Sequence, residues 1–193
     1  MKLQKNYAVV YFLEGEVRDK VRSIQEDISK LTGSRVCLDV WEPHLTLGSG
    51  LIVTSDTKDK TDFLFSKFAE HQESFEVSFN NFEGVVNEKS AQSGHDTPYV
   101  LWINVEMNNL LETLYVSLRD MMISKYDTYL PPIYTCSPHV TIAYSDLTEN
   151  GFITGREYLE TKNFTGTIRI SHLALVDSSS GKAVEYKRFN FKK

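Results

Sequence analysis

The sequence predicts an α+β protein with mixed or antiparallel sheets, built from two related halves. Two observations predict it. A course of strand, helix, strand, helix and further strands is run through about twice in the 193 residues. A short block reading Pro-His-aliphatic-Thr-aliphatic-small also occurs once in each half, so the halves read as a degenerate duplication.

Residues Tyr7 to Leu13 are β-branched and aromatic and end at Glu14-Gly15, which reads as a strand. Val17, Val21, Ile24, Ile28 and Leu31 then recur at helical spacing, with Gly33 placed as a C-cap. A strand is expected near Arg35 to Val40, and Trp41-Glu42-Pro43 leads into the first histidine block. After a polar linker at Ser55 to Lys60, a helix is expected from about Asp59 to His71 with Phe63, Leu64 and Phe68 turned inward. Phe75, Val77 and Phe79 alternate with polar residues as a half-buried strand does. The stretch from Asn87 to Pro98 is the clearest loop, a candidate lid. Leu101, Ile103, Val105 and Met107 alternate as another strand, and Leu110, Leu111, Leu114, Leu118 and Met121 form a further helix. A turn at Pro131-Pro132 precedes the second histidine block. Glu149 to Glu160 is weakly patterned and interrupted by glycine, and two strands, near Thr165 to Val176 and Val184 to Phe191, close the chain.

Composition bounds the function. An apolar fraction of 41% and a charged fraction of 24% are those of a globular protein, and this length suits one domain or two small lobes sharing a core. The net charge of −5 lacks the basic footprint that supplies most of the affinity for long nucleic acid, so a nucleic-acid substrate would be small: a nucleotide, a short oligonucleotide or an RNA end. No apolar stretch approaches a membrane span, and the N-terminal apolar run is too short for a signal peptide, so a cytoplasmic protein with no membrane partner is expected. Cys37 and Cys136 are too few for a disulfide framework and read as buried thiols.

The chemistry lies in the repeated block. Pro43-His44-Leu45-Thr46-Leu47-Gly48 and Pro138-His139-Val140-Thr141-Ile142-Ala143 share their character at six positions, with the histidines 95 residues apart. On a strand, residues i and i+2 share a face, so each imidazole stands beside its own threonine hydroxyl while Leu45, Leu47, Val140 and Ile142 point to a core. A lone His-x-Thr on a strand is ordinary; two matched copies, one in each half, are not. In-line displacement at a phosphodiester needs a base on the attacking oxygen and an acid on the leaving oxygen, and histidine can serve as either near neutral pH. Threonine hydroxyls can donate to the non-bridging oxygens as charge develops there. A zinc site of Glu42, His44 and His139 is the rival, but no clustered ligand spacing such as HxxxH or CxxC occurs, so neither metal nor another cofactor is expected. His71 ends a helix, His95 lies in the polar loop, and His172 has no threonine two residues on.

The paired motifs, their order and their separation resemble the 2H phosphoesterase superfamily, which includes bacterial 2′-5′ RNA ligase-like proteins and eukaryotic cyclic phosphodiesterases. The resemblance spans the chain and is nearest to the cyclic phosphodiesterase branch, in which a tyrosine and an acidic stretch often follow the second motif, as Tyr144-Ser145-Asp146 do here. It implies a bilobal, pseudo-two-fold arrangement of two antiparallel sheets with flanking helices around a central cleft. It implies metal-free hydrolysis of 2′,3′-cyclic phosphates or 2′-5′ linkages, with His44 and His139 as the acid/base pair and Thr46 and Thr141 on the phosphate. By the same resemblance Tyr144 is a candidate substrate contact, and Trp41, Tyr11, Tyr129 and Tyr134 are candidates for stacking a nucleobase. Degradation of 2′-5′ oligoadenylate or cyclic oligonucleotide signals is an alternative activity. A binding module that senses nucleotides or RNA ends without turnover is an alternative class.

Overall fold

The computed structural model describes residues 4–87, 97–126, 138–177 and 181–192. In chain order these form β1 (Gln4–Phe12), α1 (Gly15–Thr32), α2 (Val36–Asp39), β2 (His44–Thr54), α3 (Lys58–Glu70), β3 (Phe75–Val86), β4 (Tyr99–Val105), α4 (Asn109–Tyr126), β5 (His139–Ala143), α5 (Glu149–Glu160), β6 (Thr165–Ile170), β7 (His172–Asp177) and β8 (Val184–Asn190). The fold is α+β, and every pairing between these strands is antiparallel.

The strands lie in the order β6-β3-β4-β5-β2-β1-β7-β8. Each lobe contributes four of them, and the two half-sheets meet where β2 and β5 pair at Leu45 and Val140. The two expected sheets are therefore one continuous sheet with a narrow seam. Helices cross that seam. α1 follows β1 in the chain but packs on β5 and α5, whereas α4 follows β4 but packs on β2. Leu45, Leu47, Val140, Ile142 and Tyr11 bury into one core with Ile28 of α1 and Leu111, Leu114, Leu118 and Met122 of α4.

Local chemistry accounts for where the elements depart from the pattern. The stretch expected as a strand near 35–40 is the short helix α2 plus a turn, because Asp146 caps it: its Oδ2 accepts from the backbone N–H of Arg35 (2.7 Å) and Val36 (3.2 Å), and its Oδ1 from Ser34 Oγ (2.6 Å). In α3 Phe68 packs on the core as expected, but the fully buried places go to Thr61, Phe65 and Ala69, and Phe63 is exposed at 62%. In α4 Leu111, Leu114 and Leu118 are buried as expected and Met122 joins them, whereas Leu110, like Met107 beyond the end of β4, is exposed. The glycine-interrupted segment is the helix α5, capped by Thr148, whose hydroxyl accepts from Gly151 N–H (3.1 Å). Its glycines face the packing surface: a Cβ on Gly155 would stand 2.7 Å from the Leu101 side chain. The segment 165–176 is two strands, β6 pairing with β3 and β7 with β1 and β8. No Gly or Pro marks the break at Ser171, so the sequence alone reads it as continuous. Asn87 N–H donates to the Pro98 carbonyl (2.7 Å) at the base of the expected loop, whose residues 88–96 lie outside the described residues, as do His95, Pro131, Pro132 and Cys136. Cys37 is buried, and burial raises its thiol far above the ordinary range. No helix among the described residues is long and apolar enough to cross a membrane.

Asp146→Ala strips the acceptor from three donors, one of them on buried Ser34, and is expected to cost about 2–4 kcal/mol in denaturant unfolding; a cost within about 0.5 kcal/mol, the range of an ordinary surface substitution, would contradict the capping role. His172 is 2% exposed with its ring 4.7 Å from that of Tyr11 at a tilt of 41°, and burial foremost, then the Arg188 charge, pushes its imidazole down to about 4. The unfolded chain takes that proton near the ordinary value of 6.5, so stability should be level above pH 6.5 and fall toward pH 4. Equilibrium unfolding of His172→Phe across this window should show a shallower pH slope.

Candidate active site

The seam sets the site. Leu45 lies opposite Tyr11 on β1 and Val140 on β5, so these three side chains share the core face. His44 and Thr46 on β2, and His139 and Thr141 on β5, then take the opposite face. One residue either way along the register sets His44 across from Thr141 and Thr46 across from His139. The two histidines are diagonal neighbours, with backbones about 7–8 Å apart at ideal spacing. The outer strands extend both rows. β1 places Phe12 beside His44 and Val10 beside Thr46, while β4 places Asn104 beside His139 and Trp102 beside Thr141.

His44 is the better-defined imidazole. Its Nδ1 lies 2.8 Å from the Glu42 carbonyl oxygen. A carbonyl only accepts, so Nδ1 carries the hydrogen and Nε2 keeps a lone pair. Desolvation pushes its pKa down to about 4; the Glu42 carbonyl opposes the shift and the charge of nearby His139 adds to it. His44 is therefore neutral at pH 7.

The chain has two tryptophans, and each covers one of these histidines. The Trp41 ring lies 4.6 Å from the His44 ring at 33°, and the Trp102 ring 4.7 Å from the His139 ring at 30°. Trp102 Nε1 donates to Asn104 Oδ1 (2.8 Å), and the Trp41 indole N–H donates to Tyr144. Burial foremost raises the Tyr144 hydroxyl to about 12, so it remains protonated. Trp41 is thus brought to His44, and Tyr144 to Trp41. Tyr11 is not: it points with Leu45 to the core face, donates to the Arg169 carbonyl (3.0 Å) and is 3% exposed. Its register to Leu45 is the physical reason. Tyr129 and Tyr134 lie outside the described residues.

Three residues that the pattern did not single out hold this face in place. Arg22 on α1 donates to the carbonyls of Leu38 and Trp41 (3.1 Å each) and pairs with the Glu42 carboxylate (2.9 Å), fixing the segment that carries Trp41 and leads to His44. Glu42 thereby has its carboxylate committed to Arg22. Gln25, also on α1, donates to the Thr141 carbonyl (3.0 Å), and Tyr115 on α4 donates to the Thr46 carbonyl (2.8 Å). Each exchanged helix thus holds one motif strand by the backbone of its threonine. The sequence signal for Gln25 is an amide between the stripe residues Ile24 and Ile28 of α1, and the fold leaves it 3% exposed. Trp102 and Asn104 occupy the polar alternates of the Leu101, Ile103, Val105 pattern. Among the described residues no three His, Cys, Asp or Glu side chains converge as a metal site. A hollow of about 550 Å³ between β3 and α5, lined by Asn81, Gly84, Arg156 and Lys162 among others, contains none of the four motif residues.

Solved proteins share this architecture across their whole length. TT0787 of Thermus thermophilus superposes with a TM-score of 0.69 at 18% identity, covering 96% of this chain and 97% of that one. E. coli LigT complexed with 3′-AMP gives 0.68 at 15%, covering 99% and 100%. LigT structures complexed with NADP+ and with ATP give 0.64 and 0.62 at 15% and 16%, each covering 99% and 100%. At such identities the likeness establishes the fold. No curated protein sequence is significantly similar to the chain. The family model described as the 2′-5′ RNA ligase superfamily matches residues 13–182, both histidine strands included, and the chain belongs to that superfamily.

Proposed function

We propose that the protein is a metal-independent phosphodiesterase that hydrolyses 2′,3′-cyclic phosphates or 2′-5′ linkages of small nucleotides or RNA ends. One observation carries the reading: two imidazoles and two threonine hydroxyls, from strands far apart in the chain, share one face of one seam. The superfamily supports a 2H-type phosphoesterase activity. The 3′-AMP, NADP+ and ATP held by LigT support a small nucleotide, as does the acidic balance of this chain.

His44 is the base in this mechanism. Its Nε2 lone pair takes a proton from water, whose oxygen attacks phosphorus. His139, across the diagonal, gives a proton to the ribose oxygen as the phosphorus–oxygen bond on that side breaks. Thr46 and Thr141 donate to the non-bridging oxygens. The product is a phosphate monoester and a free hydroxyl, and solvent exchange restores both protonation states. The helix contacts from Gln25 and Tyr115 hold the strands fixed through turnover, which is most of what positioning requires.

Purified protein in EDTA is expected to open 2′,3′-cyclic nucleotides or cleave 2′-5′ dinucleotides, read by product-resolved chromatography. His44→Ala and His139→Ala should each lower kcat/KM by about 10²–10⁴ with unchanged thermal unfolding. Activity abolished by chelator, or nucleotide binding without turnover, would contradict the reading. The acid limb of kcat/KM reports the base of the free enzyme. As pH falls below His44's value of about 4 the base is protonated and the rate drops, so the limb should bend near pH 4. A bend that stays in place in His44→Ala would remove His44 from that role, whereas a bend near 6.5 that is lost in His44→Ala would keep the role and show a less desolvated imidazole.

A further inference from the structure

We infer that Asn104 is a substrate-contacting residue, donating a hydrogen bond from its side-chain amide to the oxygen that leaves on the His139 side. The inference rests on the phosphodiesterase reading and deepens it. An indole N–H can only donate, so the 2.8 Å bond from Trp102 Nε1 fixes the Asn104 side chain with Oδ1 toward the tryptophan and the NH₂ group turned away. Asn104 lies directly opposite His139 in the β4–β5 register, on the face that carries both motif histidines and threonines. It is only partly buried, and no partner for its NH₂ group is found among the described residues. Any oxygen that accepts a proton from His139 is within one cross-strand step of this donor.

The pseudo-two-fold makes the assignment directional. The position beyond His44 that corresponds to Asn104 beyond His139 is Phe12, and the neighbour of Thr46 that corresponds to Trp102 is Val10. One wall of the site is therefore apolar and the other offers a fixed amide donor. A water molecule entering as nucleophile on the His44 side needs only the imidazole that deprotonates it. A ribose oxygen leaving on the His139 side acquires negative charge as its bond to phosphorus breaks, and a preoriented donor stabilises that charge in the transition state more than in the ground state. The site is asymmetric in the sense that the reaction is.

Steady-state kinetics of the full chain on a 2′,3′-cyclic nucleotide test this with two variants. Asn104→Leu should lower kcat about 10–100-fold with KM changed less than about 3-fold, the mark of an interaction made in the transition state. Asn104→Asp keeps an acceptor for the Trp102 indole but removes the NH₂ donor, and should be at least as impaired as the leucine variant. If Asn104 only holds Trp102, aspartate restores activity and leucine does not; that outcome overturns the inference, as does retention of kcat within about 2-fold in both variants or loss of folding in both. Wild-type protein active in a His44-dependent manner, with either variant unaffected, sinks the inference alone. Wild-type protein without turnover, or turnover that survives His44→Ala, sinks the parent reading and this one with it.

Discussion

The site depends on one backbone pairing, Leu45 with Val140, at the seam between the two half-sheets. Side chains alternate across a strand, so burying these two residues forces His44, Thr46, His139 and Thr141 onto the other face together. A slip of one residue in either strand would send a histidine into the core and a leucine or valine onto the motif face. The apolar members of each block therefore fix the arrangement as much as the polar ones do. Leu45 and Val140 are both 0% exposed, so a slip would expose large apolar surface and is strongly disfavoured.

A seam of one pair cannot by itself hold two lobes in register. The helices do that by exchange. α1 leaves the strand of one lobe and packs beneath the other, and α4 does the reverse, so neither lobe can shift without dragging a helix that belongs by sequence to its partner. The hydrogen bonds from Gln25 to Thr141 and from Tyr115 to Thr46 are the polar counterpart of this exchange. Arg22, one turn before Gln25 on α1, reaches the segment ahead of His44, so a single helix touches the supports of both motifs. Asp146, just past the second motif, ties back to the turn that follows α1. The acidic residue that resembles a family signature has a structural task here.

Much of this was legible in the sequence because it rests on period and repetition. The strand alternation around residues 45 and 140, the stripe of α1 and the matched blocks each report a local rule. What was not legible depends on partners distant in the chain. α2 exists because Asp146 reaches it from over a hundred residues away. α5 looks weak because its two glycines lower helix propensity, and they are there for close approach, Gly155 to Leu101 and Gly151 to Leu147 and Thr32. The break at Ser171 has no local marker; it is imposed because the two strands it separates serve opposite lobes. Tyr11 illustrates the same limit within the site. It is an aromatic on a strand next to β2, but only the cross-strand register reveals that it shares the face of Leu45. Trp102 and Asn104 are masked because strand alternation marks only the core-facing members Leu101, Ile103 and Val105.

The tryptophan arrangement has an optical consequence. Both indoles of the chain lie against the two motif imidazoles, so the tryptophan emission of the protein originates wholly at the motif face and reports nothing of the lobes behind it. Any change in packing or charge at those two imidazoles can be followed there without a label, free of indole background from the rest of the molecule.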